Sequence, residues 1–166
     1  MREFIAALTC IAMTSVASAE GLRPGAKVAF LGLGFVDMST EGAYNGVRAD
    51  ETERLALVER LVSKRFVDEG LMLVDLAPIE NKLANIANPG QCYGCDIRFG
   101  QTLGADYAVA GSVHKISNLI VSMNLSVKDV RTGEILRAMA VDVRSNTDTS
   151  WRRGMTYILK NGVFRD

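Results

Sequence analysis

Three extended segments joined by short turns make up most of the last third of this 166-residue chain. The segments span residues 106–116, 119–130 and 134–144, and two short turns separate them, Ser117-Asn118 and Arg131-Thr132-Gly133. Turn residues between runs of strand-forming residues are typical of β-hairpins. The pattern predicts an antiparallel three-stranded meander, which requires a second layer to cover its apolar side.

The middle segment shows which side that is, because its apolar and polar residues alternate strictly. Successive side chains of a strand point to opposite faces of the sheet, so such alternation places one face in the core and leaves the other wetter. The apolar set is Leu119, Val121, Met123, Leu125 and Val127, and the polar set is Ser122, Asn124, Ser126 and Lys128.

Shorter elements precede the meander. Residues 27–33 form an apolar run without alternation, which predicts a strand covered on both faces and central in the sheet. Apolar residues recur every three or four positions over 50–69, which predicts a helix, and a second strand is expected at 71–76. Residues 34–50 show no period and are expected to form a loop.

Three further helices complete the expected element order. A weak one begins at Ala77-Pro78, a short one is expected to have Asp96 as its cap, and a closing one carries the apolar stripe of Trp151, Met155, Ile158 and Leu159. The chain is therefore expected to form a single α/β (α+β) domain over residues 20–166. Its sheet would be mixed and about five-stranded, ending in the antiparallel meander, with the helices packed on it.

Residues 1–19 have the pattern of a cleavable signal peptide. Arg2 precedes an apolar run, and Ala17-Ser18-Ala19 is a small-x-small cleavage signal. The run is shorter than the roughly 20 residues that a membrane span requires. We therefore predict export to the periplasm and no membrane span in the mature protein.

The formal net charge of zero, from 19 basic and 19 acidic residues, argues against nucleic-acid binding. Removal of residues 1–19 takes Cys10 with it and leaves Cys92 and Cys95. Two cysteines in an oxidising compartment favour a structural disulfide bond. The two-residue spacing also fits a redox-active pair, so that alternative stays open.

Other candidate residues carry weaker signals. Gly32-Leu33-Gly34 lacks the third glycine and the following helix of a dinucleotide site, and Asp37 with Glu41 lacks the spacing of a calcium loop. His114 could act only with a partner such as Asp142 of another strand. We predict no catalytic residue, no metal site and no cofactor.

The start of the closing helix combines helix-capping residues, an aromatic residue and two guanidinium groups. This combination fits either a capped helix whose tryptophan anchors the core or a contact surface for a partner or an anion. The candidate contacts are Asn146, Asp148, Trp151, Arg152 and Arg153.

The element order, together with residues 103–113 and 127–134, resembles the small α/β domain of bacterial envelope proteins. That group includes the TolB amino-terminal domain, CsgG and the lipoprotein activators of penicillin-binding proteins. Residues 92–95, 111–120 and 144–154 resemble more closely a family of secreted proteobacterial proteins of unknown function. The wider group implies an assembly or docking domain, and the closer family implies no particular activity.

These observations favour a secreted, non-enzymatic interaction domain of the cell envelope with a protein partner. Its sheet face, a sheet edge or the surface of residues 144–153 would bind that partner, and the sequence leaves homo-oligomer formation open. One alternative is a periplasmic thiol redox protein that uses Cys92 and Cys95. The other is a small-ligand carrier that binds between the meander and residues 34–49.

Overall fold

The computed structural model describes residues 21–165. The proposed signal peptide lies outside the described residues. The chain folds as one α+β domain with a five-stranded mixed sheet in the order β2-β1-β3-β4-β5. The predicted fold class is therefore confirmed.

The sheet combines a parallel half with an antiparallel half. β1 pairs in parallel with both β2 and β3, while β3–β4 and β4–β5 are antiparallel, as the predicted meander requires. The strands are β1 (Lys27–Asp37), β2 (Met72–Leu73), β3 (Tyr107–Ser117), β4 (Ile120–Asp129) and β5 (Ile135–Arg144).

Five α-helices connect or follow these strands, with short 3-10 turns at Ala77–Ile79 and Pro89–Gln91 and a π-helical turn at Leu159–Val163. The helices are α1 (Thr40–Asn45), α2 (Ala49–Asp68), α3 (Glu80–Leu83), α4 (Cys95–Thr102) and α5 (Asp148–Ile158).

The main core lies between one face of the sheet and helices α2 and α5. The alternating apolar residues of β4 from Val121 to Val127 all point into it, as predicted. Gly154 allows α5 to approach closely, because a Cβ atom there would lie 2.6 Å from Cγ1 of Val143 on β5. A second, smaller core on the other face is formed by α4, the 3-10 turns and the inner parts of β1 and β3.

β1 contains an irregularity that affects its outer edge. Its register with β3 shifts between Phe30 and Leu33, and Gly32 lies there with a φ of +89°, a conformation that favours glycine. The N–H of Leu33 donates to the Glu59 carboxylate of α2 at 2.8 Å. A side chain therefore binds a backbone group on β1 beyond the point where the two-residue β2 has ended.

Three sequence-based expectations were wrong in detail. Residues 34–50 are not one loop, because β1 continues to Asp37 and the six-residue α1 follows it. The first strand is not central, since β3 holds the middle position. The second strand is much shorter than residues 71–76, since only Met72 and Leu73 pair with β1.

Candidate functional site

A buried ion-pair cluster closes the end of the sheet at which β1 and β3 finish. The Nζ atom of Lys115 lies 2.7 Å from Glu51 Oε1, 3.0 Å from Asp37 Oδ2 and 3.5 Å from Glu41 Oε2. The side chains of Lys115 and Glu51 are both 0% exposed. The carboxyl end of parallel strands is where open α/β sheets bind ligands. Here the chain fills that position with its own side chains.

The cluster continues through Asn146 to the start of α5. The Asn146 amide donates to Glu51 at 2.8 Å, and its Oδ1 accepts from Arg54 at 3.0 Å and from the Trp151 indole at 2.9 Å. Arg54 also pairs with Asp148 at 2.9 Å and lies over the Trp151 ring. We call this set the Lys115 network; it comprises Asp37, Glu41, Glu51, Arg54, Lys115, Asn146, Asp148 and Trp151.

The Lys115 network joins three connections that are far apart in sequence. Glu41 belongs to the β1–α2 connection, which begins after Asp37, and Asn146 belongs to the β5–α5 connection. Asn118 of the β3–β4 turn donates its amide to Glu41 at 2.8 Å, and its carbonyl accepts from the N–H of Asn146 at 3.0 Å. Buried polar groups that are all paired make a rigid arrangement, so these loops are held in one geometry.

The ionisation of the network follows from its contacts. Burial raises the pKa of Asp37, but hydrogen bonds from Ser39 and the ion pair with Lys115 outweigh it, so the pKa lies below its ordinary value. The Asn118 amide and the Lys115 charge lower the pKa of Glu41. Burial lowers the pKa of Lys115, but Glu51 and Asp37 raise it by more, so that it lies above its ordinary value.

We expect the free energy of unfolding to fall as the pH drops below about 4. Asp37 has a depressed pKa in the fold, so its contribution is complete above the ordinary value of 3.8 and is lost as the pH falls through the lower folded value. The pKa of Lys115 is raised in the fold, so its contribution to stability is complete below 10.5 and is lost only as the pH rises above that value. Urea unfolding between pH 7 and pH 2.5 measures the acid limb.

The Asp37→Asn variant is the control for this prediction. It should be less stable at pH 7 and should show a flatter dependence on pH over the acid range. An acid limb of unchanged slope in this variant would contradict the assignment.

A cluster of exposed apolar side chains lies above the Lys115 network. The N–H of Met38 donates to the carbonyl of Lys115, next to Ile116. Leu119 lies in the adjoining turn, and Ile120 is the first residue of β4. Leu119 is 73% exposed and Met38 63%. Contiguous exposed apolar side chains are typical of interaction sites. We call Met38, Ile116, Leu119 and Ile120 the apolar patch.

The patch continues into a face of the sheet that no described helix covers. On β4 and β5 most side chains turned away from α2 and α5 are small or polar, with Ile120 and Ile135 at the two ends of the face, and those of β5 are exposed. The cross-strand register aligns them in rows. We call this surface the open face; it comprises His114, Ser122, Asn124, Ser126, Ala138, Ala140, Asp142 and Arg144.

The polar side chains of the open face do not form a catalytic arrangement. The hypothetical partnership of His114 with Asp142 is wrong, because β4 lies between them and Ser122 is the register neighbour of both. His114 Nε2 instead lies 2.8 Å from Ser112 Oγ, which also accepts from Asn124 at 2.6 Å. Ser112 is only 1% exposed, so its hydroxyl is not presented to a substrate.

The two cysteines lie at disulfide-bonding distance, with Cα atoms 5.4 Å apart. Cys92 follows the 3-10 turn at Pro89–Gln91, and the buried Cys95 is the first residue of α4. Asp96 does not cap this helix as expected; Gly94 occupies the cap position, and the buried Asp96 pairs with Lys128 of β4 at 2.6 Å. The segment 87–96 therefore borders the open face along β3.

The candidate contacts at the start of α5 divide into two groups. Asn146, Asp148 and the fully buried Trp151 belong to the Lys115 network. Arg152 and Arg153 are exposed and border a shallow concavity of about 650 Å³ on the outer side of α5, together with Thr149, Thr156, Tyr157, Lys160 and Asn161. The sequence pattern thus combined an internal anchor with a separate cationic surface.

Two weaker motifs have structural explanations. Gly32 and Gly34 belong to the irregular part of β1 and to a close contact with residues 87–88, and β1 continues past them where a phosphate-binding turn would begin. Asp37 and Glu41 bind Lys115. Within residues 21–165, no group of three or more His, Cys, Asp or Glu side chains is arranged to hold a metal ion.

Sequence reasoning missed the centre of the network. Lys115 occupies a core-facing position of β3, in the same alternation as Val109 and Val113, and Glu51 and Arg54 are buried positions of α2. Charged residues at positions that a period assigns to the core are the signal that could have identified them.

Comparisons with known proteins add family and fold. Residues 26–163 match the model of the family DUF3280, which carries the description "Protein of unknown function (DUF2380)". No curated protein matches the sequence. Across residues 21–165, no helix has both the length and the apolar character that crossing a bilayer would demand.

Three solved structures share the fold at low sequence identity. The LpoB C-terminal domain from Salmonella enterica has a TM-score of 0.53 at 18% identity and covers 76% of this chain and 88% of that chain. The LpoB C-terminal domain from Escherichia coli has a TM-score of 0.52 at 15% identity and covers 75% of this chain and 86% of that chain. The PelC dodecamer from Paraburkholderia phytofirmans has a TM-score of 0.51 at 10% identity and covers 86% of this chain and 92% of that chain. The resemblance to TolB and CsgG stays a prediction.

Proposed function

Because the chain belongs to the DUF3280 family, whose description assigns no function, we propose its role from its geometry: a non-enzymatic interaction domain of the cell envelope. It binds a protein partner on the open face, with the apolar patch at one end of the contact. The predicted membership in a family of unknown function is confirmed, while its secreted character is part of the proposal.

The open face is the single observation that carries this proposal. Helices α2 and α5 pack on one face of the sheet, and α4 with its flanking turns packs on β1 and β3 of the other face, but the β4–β5 side opposite α2 and α5 carries mostly small side chains that allow close approach. Ala138 and Ala140 are exposed on it, and the apolar patch adds Leu119 and Ile116. The Lys115 network holds the loops that bear the patch, so a partner meets a preorganised surface.

The signal-peptide pattern of residues 1–19 supports the envelope location. The LpoB C-terminal domains share the fold of this chain, and this likeness is evidence for the fold alone. The solved PelC structure that shares the fold is a dodecamer. A second copy of this chain is therefore an outcome that an experiment on the open face must recognise.

The exposed cations of α5 form a second proposed contact. Arg152, Arg153 and Lys160 border the concavity described above, and none of the residues lining it within the described part of the chain is acidic. Such a surface attracts an acidic partner or an anion and makes its binding depend on salt.

Two alternatives differ in support. A thiol redox role retains one specific observation, the position of Cys95 as the first residue of α4, where the helix dipole stabilises a thiolate, while the burial of Cys95 works against its reactivity. Its reduction potential and the reactivity of the reduced thiols test it. A carrier role between the meander and residues 34–49 has less support, because Lys115, Asp37 and Glu41 occupy that space.

Photo-crosslinking from position 140 tests the interaction role. A photoreactive residue that replaces Ala140 should give a defined adduct in intact cells, and mass spectrometry identifies the attached protein. The purified partner should then bind the Ala140→Arg variant at least about tenfold more weakly than the wild type.

Thr52→Arg is the matched control, because Thr52 is exposed on α2, on the opposite side of the sheet. Binding should not change in this variant. Equal effects of both substitutions, or no protein adduct from position 140, would overturn the proposed docking face.

A further inference from the structure

Tyr93 lies at the tip of the turn that the two cysteines close, and its side chain is 100% exposed. An aromatic ring in water gains nothing from burial within its own domain. The ring therefore contributes no packing to the fold described above.

The backbone at Tyr93 is also unfavourable for this residue. Its φ is +52°, in the left-handed region that glycine and asparagine tolerate better than tyrosine. Folding alone thus favours Gly or Asn at this position. Residues held in such conformations concentrate at ligand-binding and other functional sites.

Several contacts fix the turn in this conformation. Cys92 and Cys95 close it, the N–H of Cys95 donates to the Cys92 carbonyl at 3.2 Å, and Arg98 donates to the Tyr93 carbonyl at 3.3 Å. Little backbone conformational entropy is lost when a turn held in this way is bound.

The turn stands beside the open face. Asp96, three residues after Tyr93, pairs with Lys128 of β4, and Gly90, three residues before it, lies close to Gly111 of β3. A protein bound on the open face would therefore reach the turn.

We propose that the disulfide-closed turn presents Tyr93 as an anchor that enters an apolar pocket of a different protein bound on the open face. The exposed Arg98 beside it calls for a carboxylate at the rim of that pocket. Tyr and Arg dominate binding hot spots because a rigid ring and a guanidinium bury large area with directed polar contacts. This inference rests on the proposed interaction function and names the chemistry of the partner.

The first test measures stability without a partner. Tyr93→Asn should melt at the same temperature as the wild type or above it, because asparagine relieves the positive φ and no packing is lost. A clearly lower melting temperature would show that the ring supports the fold and would overturn the inference.

The second test locates the partner by crosslinking in intact cells. Photoreactive residues replace Tyr93, Ala140 or, as control, Tyr44, which is 85% exposed on α1. Positions 93 and 140 should attach to the same protein, and position 44 should not. The purified partner should bind Tyr93→Asn at least about tenfold more weakly, and the Cys92→Ser/Cys95→Ser variant should give several-fold less adduct from position 93.

The outcomes separate the inference from the proposed function. An adduct from position 140 without one from position 93 overturns the anchor and leaves the docking face standing. Adducts from neither position overturn both. Equal yields from positions 93 and 44, or an adduct of position 93 to a second copy of this chain, also overturn the anchor as stated.

Discussion

Replacement of Lys115 by methionine is expected to lower the free energy of unfolding by about 3–5 kcal/mol. The substitution removes the cation that lies 2.7 Å from Glu51 and 3.0 Å from Asp37. Glu51 is fully buried and Asp37 is nearly so, and neither carboxylate can turn to water without moving α2 or the end of β1. Urea unfolding followed by circular dichroism at pH 7 measures the loss.

A double variant separates this charge effect from a loss of packing. Lys115→Met combined with Glu51→Leu removes both members of the closest pair and should recover part of the lost stability, because two apolar residues can replace a buried ion pair. A loss of less than about 1 kcal/mol in Lys115→Met, or a double variant as unstable as the sum of the single ones, would contradict the account.

Replacement of Trp151 by alanine should lower the free energy of unfolding by about 3–5 kcal/mol. Its ring is 0% exposed and lies against Phe35 with ring centroids 5.9 Å apart. Its indole N–H also donates to Asn146, so the substitution removes both core volume and one bond of the Lys115 network. Thermal and urea unfolding measure the effect.

Trp151→Phe is the matched control, since it keeps an aromatic ring and loses the indole N–H. Asn146 still accepts from Arg54 in that variant, so its loss should be nearer about 1–2 kcal/mol. Near-neutral effects of both substitutions would favour the other interpretation of this residue, as a contact for a partner rather than an anchor of the core.

The meander could be predicted because its period is local. Each strand of β3–β5 alternates or runs apolar over ten or eleven residues, and turn residues mark both connections. Helix α1 could not be predicted, because six residues with no buried side chain carry no apolar period. It is held by the Ser39 cap and by contacts of Glu41 with Lys115 and Asn118, which are 74 and 77 residues away in sequence.

The candidate site divides in the same way. The pair of Cys92 and Cys95 is a local signal that predicts a disulfide once residues 1–19 are interpreted as an export signal, whereas the residues around Trp151 allow both an anchor and a contact surface. The sequence could not decide between these two roles, because the burial of Trp151 depends on Arg54 and Asn146 reaching it from other elements. The exposure of Tyr93 likewise depends on which side of α4 faces the sheet.

The Glu59 side chain of α2, bound to the β1 backbone, limits how copies of this domain could join through their sheets. On the β2 side of the sheet the edge strand β2 has only two residues. Beyond it, β1 contains a bulge, and the Glu59 carboxylate accepts from the N–H of Leu33. Both features discourage another strand from adding there. Among the strands of residues 21–165, only β5 offers a long border, which is regular from Arg137 to Arg144. Strand addition between copies would therefore end with a closed pair and could not propagate into a fibre.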